Sequence, residues 1–531
     1  LMPTTRSQQE QELSGGTGLE DMDRLSKSSY LTRTLDRLRR LPRFTLLLTG
    51  AITLPVSAAI ALDPAHHDGA TFIYMGEMWA KGIIPYVQLF DNKPPGIFAL
   101  IAVAAHTPNT IWTVALIEFL FVMCCIFTVR RMLQRCGCPK NAVFLGTLGM
   151  ALMANLYAYA PGNISETYML WPMTASMLAF FKAIRSRKIG DVFLAGLFSG
   201  VACMFKPFGL SALIAQIAFT NVWSTSKESN RLSWTAANLL GALTAWIPAL
   251  AYFSVHHGLK QMLDASFLYN AHYGLASKPF ALTTLSMVAE RLLPVSSTVV
   301  CLAVGLVWLR RYAPNIPSDR RSPWILTLLW FGAGLCLVLA AGRGYTHYFT
   351  TLTPALGLAA ALFFWSVEEG EGTGEIRLAI GALIIGPVFL AYVPGLVKSV
   401  HGFRDVVLHR RKEIPVDTAA RELQRISTPS NTLLVWGYEP WLFSSTHLRS
   451  ALRYPTTQYI YDSPRSYAAV GSEILGGMQV TPPDFVVVTP WEYSQSWSHQ
   501  SDPVQEKFKR ILQSSYAEVW QADSFTIYKR R

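Results

Sequence analysis

The sequence is poor in charged residues, which make up only 15% of its 531 positions. Soluble globular chains usually carry about 25% charged residues, so an ordinary water-soluble protein is excluded. Hydrophobic residues account for 51% of the chain, and many of them lie in runs of about 18 or more, each long enough to cross a hydrocarbon layer of about 30 Å. The composition therefore predicts a polytopic helical membrane protein.

Cysteine is also scarce, with seven residues that all lie in predicted membrane spans or in one loop expected to be cytoplasmic. No disulfide framework is therefore expected. No early apolar segment with a small-residue cleavage site is seen, so we expect the first span to be a retained anchor. A glycine-rich nucleotide loop in the right context is missing too. The net charge of +12 is scattered between spans, which does not favour nucleic-acid binding.

The apolar runs predict about eleven transmembrane helices. One apolar stretch is too long for a single crossing, and a break at Lys206 and Pro207 divides it into two. The other predicted spans are 44–62, 110–129, 141–159, 165–184, 233–254, 292–310, 323–341, 346–366 and 377–398. We expect a polar and basic tail at 1–43, a transmembrane domain at 44–399 with an external loop at 63–109, and a separate region at 400–531.

Arginine and lysine follow the even-numbered spans and are sparse in the opposite loops, which is the positive-inside pattern. This pattern predicts a cytoplasmic N-terminus and places loop 63–109 and residues 400–531 outside the cytoplasm. Residues 400–531 are more mixed in charge than the rest. Their short runs "TLLVWG" and "DFVVVTP" predict strands, "DTAARELQRI" predicts a helix, and "EVWQADSFTIYKRR" predicts a final strand pair. We therefore expect a small α/β domain there.

Polar side chains collect in four of the loops expected outside. Charges near a membrane are costly unless they are paired or hydrated, so they mark candidate functional positions. Any single one could be a satisfied interfacial residue, but the joint pattern favours a site. The set comprises Asp63, His66, His67, Asp68, Glu77, Asp91 and Lys93 in the first loop, Asn163, Ser165 and Glu166 before or in the fourth span, Lys206, and Arg343, His347 and Tyr348 near the tenth.

These groups could supply a base for an acceptor hydroxyl or amine and cations for an anion. A carboxylate such as Asp68 can act as a general base, and the Lys93 ammonium, with Arg343 as a second cation, can pair with a phosphate. The adjacent His66 and His67 leave a metal possible but not favoured, because their spacing is not a specific ligand pattern. We expect no cofactor.

Several motifs carry a family resemblance that extends from about residue 44 to the end. The first loop has Y-x-G-x5-G-x-x-P-Y, formed by Tyr74, Gly76, Gly82, Pro85 and Tyr86, followed by "FDNKPPG". Later come "ETYMLWP", "FKPFGL", "GRGYTHYFTTLTPAL" and "LLVWGYEPWLF". The chain resembles GT-C-type membrane glycosyltransferases, the family 39-like group that includes protein O-mannosyltransferases and the aminoarabinose transferase of lipid A.

The resemblance implies an all-α transmembrane bundle with a small C-terminal α/β domain, in a bacterial inner membrane. It implies transfer of a sugar from a polyprenyl-phosphate carrier to an extracytoplasmic glycan, lipid or protein. Asp68 would be the catalytic base and Lys93 would contact the carrier phosphate. The substrate site would also include Glu166, Lys206, Arg343, His347, Tyr348, Tyr86 and Asp91.

Two alternatives stay open at this point. Many relatives have Asp-Glu where this chain has Asp68-Gly69, so Asp63 is the alternative catalytic residue. A transporter or flippase of lipid-linked glycans, or a glycan polymerase, is the alternative function. A transporter usually has polar breaks near the bilayer midplane in both halves, whereas the charges here cluster at one face.

Overall fold

The computed structural model describes residues 42–62, 67–159, 162–222, 228–275, 282–312, 318–369, 373–408, 414–489 and 502–531. The chain divides into two units, residues 1–48 and 49–531. Of the first unit only residues 42–48 are described, and they form the start of one helix. The architecture below is that of the second unit.

Eleven helices coincide with the eleven predicted spans. Six helical segments among the described residues are long and apolar enough to cross a membrane, and shorter apolar helices accompany them. The helices are α1 (Pro42–Leu62), α4 (Thr110–Cys136), α5 (Lys140–Ala154), α6 (Ser165–Ser186), α7 (Ile189–Phe205), α8 (Ser211–Val222), α9 (Glu228–Val255), α13 (Ser296–Tyr312), α14 (Ser318–Ala340), α15 (Thr353–Glu368) and α16 (Gly374–Val407). Helices are numbered in chain order, and α2, α3 and α10 to α12 lie between these spans.

The break predicted at Lys206 is confirmed. Helix α7 ends at Phe205, Lys206 has an extended backbone, and a 3-10 turn begins at Pro207. Proline cannot continue the hydrogen-bond ladder of the preceding helix, so the chain reverses here. The reversal leaves the Lys206 side chain at the end of two helices rather than in the middle of one.

Two glycines in α7 determine how closely this helix packs on α9. A Cβ atom at Gly196 would lie 1.9 Å from the main-chain oxygen of Asn238, and one at Gly200 would lie 2.3 Å from that of Ala242. Small residues four positions apart let helix backbones approach in a membrane, where packing rather than the hydrophobic effect drives association. The local sequence "AGLFSG" therefore lets α7 pack closely on α9.

The remaining helices lie outside the predicted spans. After α1 come two helices of the first loop, separated by a turn in which Gly82 has a φ of +87°, a conformation that glycine adopts without steric cost. The helices are α2 (His67–Ala80), α3 (Gly96–Ala104), α10 (Leu259–Leu263), α11 (Asn270–Leu275) and α12 (Leu282–Leu292), and a π-helical turn (Asp264–Tyr269) joins α10 to α11.

The C-terminal region is a five-stranded sheet with helices, and the strands and helix predicted from its sequence are confirmed. Strand order is β2-β1-β3-β5-β4; β1 is parallel to β2 and β3, and β5 is antiparallel to β3 and β4. The strands are β1 (Thr432–Trp436), β2 (Arg449–Ser450), β3 (Phe485–Val488), β4 (Tyr516–Ala522) and β5 (Phe525–Arg530), and the helices are α17 (Pro415–Ile426), α18 (Trp441–Thr446), α19 (Pro464–Val480) and α20 (Pro503–Ser515).

The C-terminal region packs directly on the first loop. The Tyr74 ring stacks on Phe443 with centroids 4.6 Å apart, and the Tyr74 hydroxyl accepts a hydrogen bond from the main-chain N–H of Ser450. Arg453 donates to the main-chain oxygen of Tyr86 at 2.9 Å. Helix α2 is consequently buried on both sides, and its Asp68 faces inward between the helical bundle and the sheet.

Candidate active site

Asp68 and Lys93 meet where the first loop, the bundle and the C-terminal region come together. Asp68 is in the first turn of α2, and Lys93 is in the turn before α3. The Lys93 Nζ lies 4.0 Å from Asp68 Oδ2, with 15% and 28% of the two side chains exposed. The other carboxylate oxygen, Oδ1, accepts a hydrogen bond from the Tyr438 hydroxyl at 2.6 Å.

The "FDNKPPG" segment holds Lys93 through its own polar groups. Asp91 Oδ1 accepts from the main-chain N–H of Lys93 at 2.8 Å, and Asn92 Oδ1 accepts from its Nζ at 3.0 Å. The buried Tyr86 hydroxyl donates to the Lys93 carbonyl at 2.8 Å. These bonds fix the backbone of Lys93, and the prolines that follow restrict it further.

A second ion pair lies deeper in the bundle. Lys206 Nζ is 2.7 Å from Glu166 Oε1, and only 9% and 2% of these side chains are exposed. His347 Nε2 lies 3.8 Å from the same oxygen. The Lys206 ammonium also sits 4.7 Å from the centroid of the Tyr348 ring, a favourable cation–π position. We call Asp68, Lys93, Glu166, Lys206 and His347 the polar cluster.

The charges of the polar cluster act on one another. The pKa of Asp68 is held below its usual range: burial alone would raise it, but Lys93 and the Tyr438 hydroxyl, among others, stabilise the carboxylate. The pKa of Lys93 is raised: burial alone would lower it, but Asp91 and Asp68 favour the ammonium. Both groups are therefore charged at neutral pH.

Arg343 lies beside the polar cluster and not within it. Its Nη2 donates to the main-chain oxygen of Asp462 at 3.0 Å, and its guanidinium lies 4.0 Å from the Tyr273 ring centroid. The Asp462 carboxylate accepts a hydrogen bond from the Tyr269 hydroxyl at 2.6 Å. Burial raises the pKa of Asp462 to about 6, against the lowering effects of Tyr269, Arg343 and Lys93. Arg343 thus contacts the C-terminal region at the rim of the polar cluster.

The structure brings most of the predicted site residues into one place. Asp63 and His66 lie outside the described residues, as does the side chain of His67. Among the described residues, no group of three histidine, cysteine, aspartate or glutamate side chains is arranged to hold a metal ion. The residues that lie in or directly beside the polar cluster are Asp68, Lys93, Glu166, Lys206, His347, Tyr348, Tyr86 and Asp91, with Arg343 at the rim.

Gly69 occupies the position at which relatives were expected to have glutamate. A Cβ atom at Gly69 would lie 3.2 Å from the Cβ of Asn163, closer than an ordinary van der Waals contact. Asn163 Nδ2 donates to the Gly69 carbonyl at 3.0 Å, and Tyr168 donates to Asn163 Oδ1. The space beside Asp68 is therefore filled by an amide from the α6 side rather than by a second carboxylate.

Sequence reasoning missed Tyr438, Tyr459 and Asp462, all from the C-terminal region. Tyr438 contacts Asp68, and the Tyr459 hydroxyl donates to Asp91 Oδ2 at 2.8 Å. A signal for Tyr438 was present, because "WGYEP" directly follows the buried strand β1 and the ends of parallel strands commonly carry functional groups. Tyr459 lies in a short 3-10 helix and Asp462 directly follows that helix, and neither position carries such a signal.

Comparisons with known proteins support the resemblance. The family profile described as dolichyl-phosphate-mannose-protein mannosyltransferase matches residues 92–252. The structure of ArnT from Cupriavidus metallidurans bound to undecaprenyl phosphate superposes with a TM-score of 0.62 at 15% identity, covering 92% of this chain and 98% of that chain. The apo state of ArnT gives a TM-score of 0.56 at 14% identity, covering 91% and 97%. No curated protein matches in sequence.

These matches confirm the predicted fold class. The chain has the architecture of GT-C-type membrane glycosyltransferases: a multi-pass helical bundle with a small C-terminal sheet region. Among solved structures, it is similar to ArnT over nearly the whole length of both chains.

Proposed function

We propose that this protein transfers a sugar from a polyprenyl-phosphate carrier to an acceptor, with Asp68 as the catalytic base. The fold supports a membrane glycosyltransferase, and the similar ArnT structure holds undecaprenyl phosphate. The observation that carries the proposal is the open geometry of Asp68 and Lys93. Their charged atoms are 4.0 Å apart, close enough to interact but not joined in a hydrogen-bonded pair.

Lys93 is the proposed contact for the carrier phosphate. Its ammonium has hydrogens to donate beyond the one directed at Asn92. The neighbouring ammonium of Lys206 is already engaged by Glu166 at 2.7 Å, so it adds positive potential without being the first choice for direct contact. Arg343 at the rim is a second cation for the same anion.

The proposed reaction is a single displacement at the anomeric carbon. The acceptor oxygen or nitrogen attacks this carbon while Asp68 takes the proton of the acceptor. The bond between the anomeric carbon and the phosphate oxygen breaks, and its electron pair leaves with polyprenyl phosphate. Because phosphate is a good leaving group, a base and a cation suffice, and the configuration at the anomeric carbon inverts.

Donor binding would prepare Asp68 for its role. In the free protein Lys93 helps to hold the pKa of Asp68 low, which makes the carboxylate a weak base. A bound phosphate adds negative charge beside Lys93 and offsets its effect on Asp68. The pKa of Asp68 then moves upward, towards the range in which a general base works best.

The proposal places the polar cluster on the extracytoplasmic side of a bacterial inner membrane. This placement is supported by the basic loops at the opposite ends of the predicted spans. The acceptor would be a glycan, lipid or protein of the cell envelope, approaching from the side of the C-terminal region.

The test is transfer by purified protein in detergent, with radiolabelled undecaprenyl-phosphate-linked hexoses and pentoses, and envelope extract as the acceptor source. We expect Asp68→Asn to lower transfer by about a thousandfold while undecaprenyl phosphate still binds. Asp523→Asn is the matched control, since Asp523 lies in the β4–β5 turn with a φ of +50° that asparagine also tolerates.

Three outcomes would overturn the proposal. Full transfer by Asp68→Asn would remove Asp68 as the base, and loss of transfer in Asp63→Asn alone would assign the role to Asp63. Activity that appears only in sealed vesicles with a gradient would instead indicate a transporter.

A further inference from the structure

A cavity lies between the α10–α11 segment and the C-terminal region. Its volume is about 410 Å³, within the range of about 300–1,000 Å³ that is typical of small-molecule sites. Its lining comes from the first loop, from residues 260–272 and from residues 453–470. None of the lining residues belongs to a predicted span, so we expect the cavity to lie outside the hydrocarbon layer.

The cavity is positively charged. Lys260, Arg453 and Arg465 line it, with Asp264 as its only carboxylate among the described lining residues. Arg453 forms an ion pair with Glu473, with 3.4 Å between Arg453 Nη1 and Glu473 Oε1. Neither Lys260 nor Arg465 forms an ion pair in the described part of the chain, because no carboxylate there lies within 4.0 Å of their charged atoms.

Arg465 meets a further polar group across the cavity. Its guanidinium contacts His272 Nε2, which joins the C-terminal region to α11. Arginine is suited to planar, two-point recognition of phosphate and carboxylate groups. The contact therefore holds a suitable donor at the cavity wall.

Aromatic rings form the inner wall. Phe90 packs against Tyr269 and Tyr454, with centroids 5.2 and 4.8 Å apart. Arg453 lies 5.1 Å from the Phe90 centroid. Apolar faces next to a few directed polar groups are the usual composition of a small-molecule site, and flat aromatic faces suit the C–H surface of a sugar ring.

Residues that line this cavity also contact residues beside the polar cluster. Phe90 directly precedes Asp91, and Tyr269 donates to Asp462 at 2.6 Å. The Asp462 main-chain oxygen in turn accepts from Arg343. A ligand in the cavity would thus contact residues that are hydrogen-bonded to the rim of the proposed reaction site.

We infer that this cavity binds an anionic saccharide, a sugar ring bearing a phosphate or carboxylate group, as part of the acceptor. The cations recognise the anion and the aromatic wall supports the ring. The assignment to the acceptor rests on the proposed function, because the lipid-linked donor is expected at Lys93. Binding of the anionic sugar itself does not depend on activity.

The experiment measures binding to purified full-length protein by saturation-transfer NMR and titration calorimetry. The probes are glucosamine 6-phosphate, glucuronate, glucose, inorganic phosphate and a penta-aspartate peptide. Lys260→Ala combined with Arg465→Ala removes the two charges that have no carboxylate partner. Lys509→Ala on α20 is the control, because Lys509 is exposed and does not line the cavity.

We expect the double variant to weaken binding of the two anionic sugars at least tenfold and Lys509→Ala to leave it unchanged. Undecaprenyl phosphate binding should stay the same in both, so a defect in donor binding is distinguished from a defect in the cavity. In transfer assays the double variant should raise the acceptor KM with little change in kcat.

Three results would overturn the inference. Equal binding of anionic sugars by the wild type and the double variant would place their site elsewhere. Phosphate binding as tight as that of the phosphosugar would show that the ring is not recognised. Tighter binding of a penta-aspartate peptide than of either sugar would indicate a protein acceptor. Each result leaves the role of Asp68 to its own test.

Discussion

Lys206 and Lys93 each face a carboxylate of the polar cluster, but only Lys206 is in direct contact with it. Lys206 lies 2.7 Å from Glu166 and both side chains are almost fully buried. Lys93 lies 4.0 Å from both Asp68 and Asp91 and is more exposed. A closed, buried pair satisfies its own charges, whereas an open one leaves charge available to a substrate. Under the proposed function, the first pair would stabilise the structure and the second would take part in the chemistry.

The largest effect should come from breaking the closed pair. Glu166→Gln leaves the Lys206 ammonium buried without its counter-charge, and we expect a loss of about 3 kcal/mol in the free energy of unfolding. Thermal unfolding in detergent measures it. Glu166→Gln with Lys206→Met should recover most of the loss, since neither charge then remains.

An exposed pair provides the control for this experiment. Glu369→Gln removes the partner of Arg320 at a position where about 40% of each side chain is exposed. The expected change is below about 1 kcal/mol, as for other surface pairs. Equal destabilisation by Glu166→Gln and Glu369→Gln would contradict the structural role of the Glu166–Lys206 pair.

Breaking the open pair of Asp68 and Lys93 should weaken the binding of undecaprenyl phosphate. Lys93→Ala removes a charged hydrogen-bond donor, and we expect the Kd for undecaprenyl phosphate to rise roughly ten- to a hundredfold. Lys93→Arg keeps the charge and should recover part of the affinity. Lys81→Ala, an exposed lysine in the same loop, is the control and should bind normally. Unchanged affinity in Lys93→Ala would remove Lys93 from the donor site.

The smallest effect concerns pH. Asp462 loses its proton near pH 6 because burial raises its pKa, and its negative charge then acts on Lys93. The donor phosphodiester keeps one charge throughout this range, so donor KM should rise two- to threefold between pH 5 and pH 7. Asp462→Asn should abolish the rise, and a wild-type profile in this variant would exclude Asp462 as its source.

The helices of the membrane part were predictable because their signals lie in consecutive residues of the sequence. Runs of apolar residues, basic loops and the Lys206–Pro207 break locate the helices without knowledge of their contacts. The two strands "TLLVWG" and "DFVVVTP" were predictable for a similar reason, as short apolar runs bounded by turn residues. The helices and strands observed follow these local patterns.

The candidate site was predictable only in part. Lys93 lies in a motif with its own turn chemistry and could be singled out, as could Asp68 at a helix start. The Tyr438 and Asp462 contacts join positions more than 180 residues apart, and no local pattern encodes such distances. The difference between a 2.7 Å and a 4.0 Å pair is likewise a property of packing in three dimensions.

The position of the Tyr438 hydroxyl has a consequence for exchanging parts of this chain with other proteins. The group that orients Asp68 belongs to the sheet region and not to the bundle that carries the aspartate. A chimera that joined this bundle to an unrelated soluble region would keep every membrane residue and still lose the donor at 2.6 Å. The two regions therefore have to be inherited, or engineered, together.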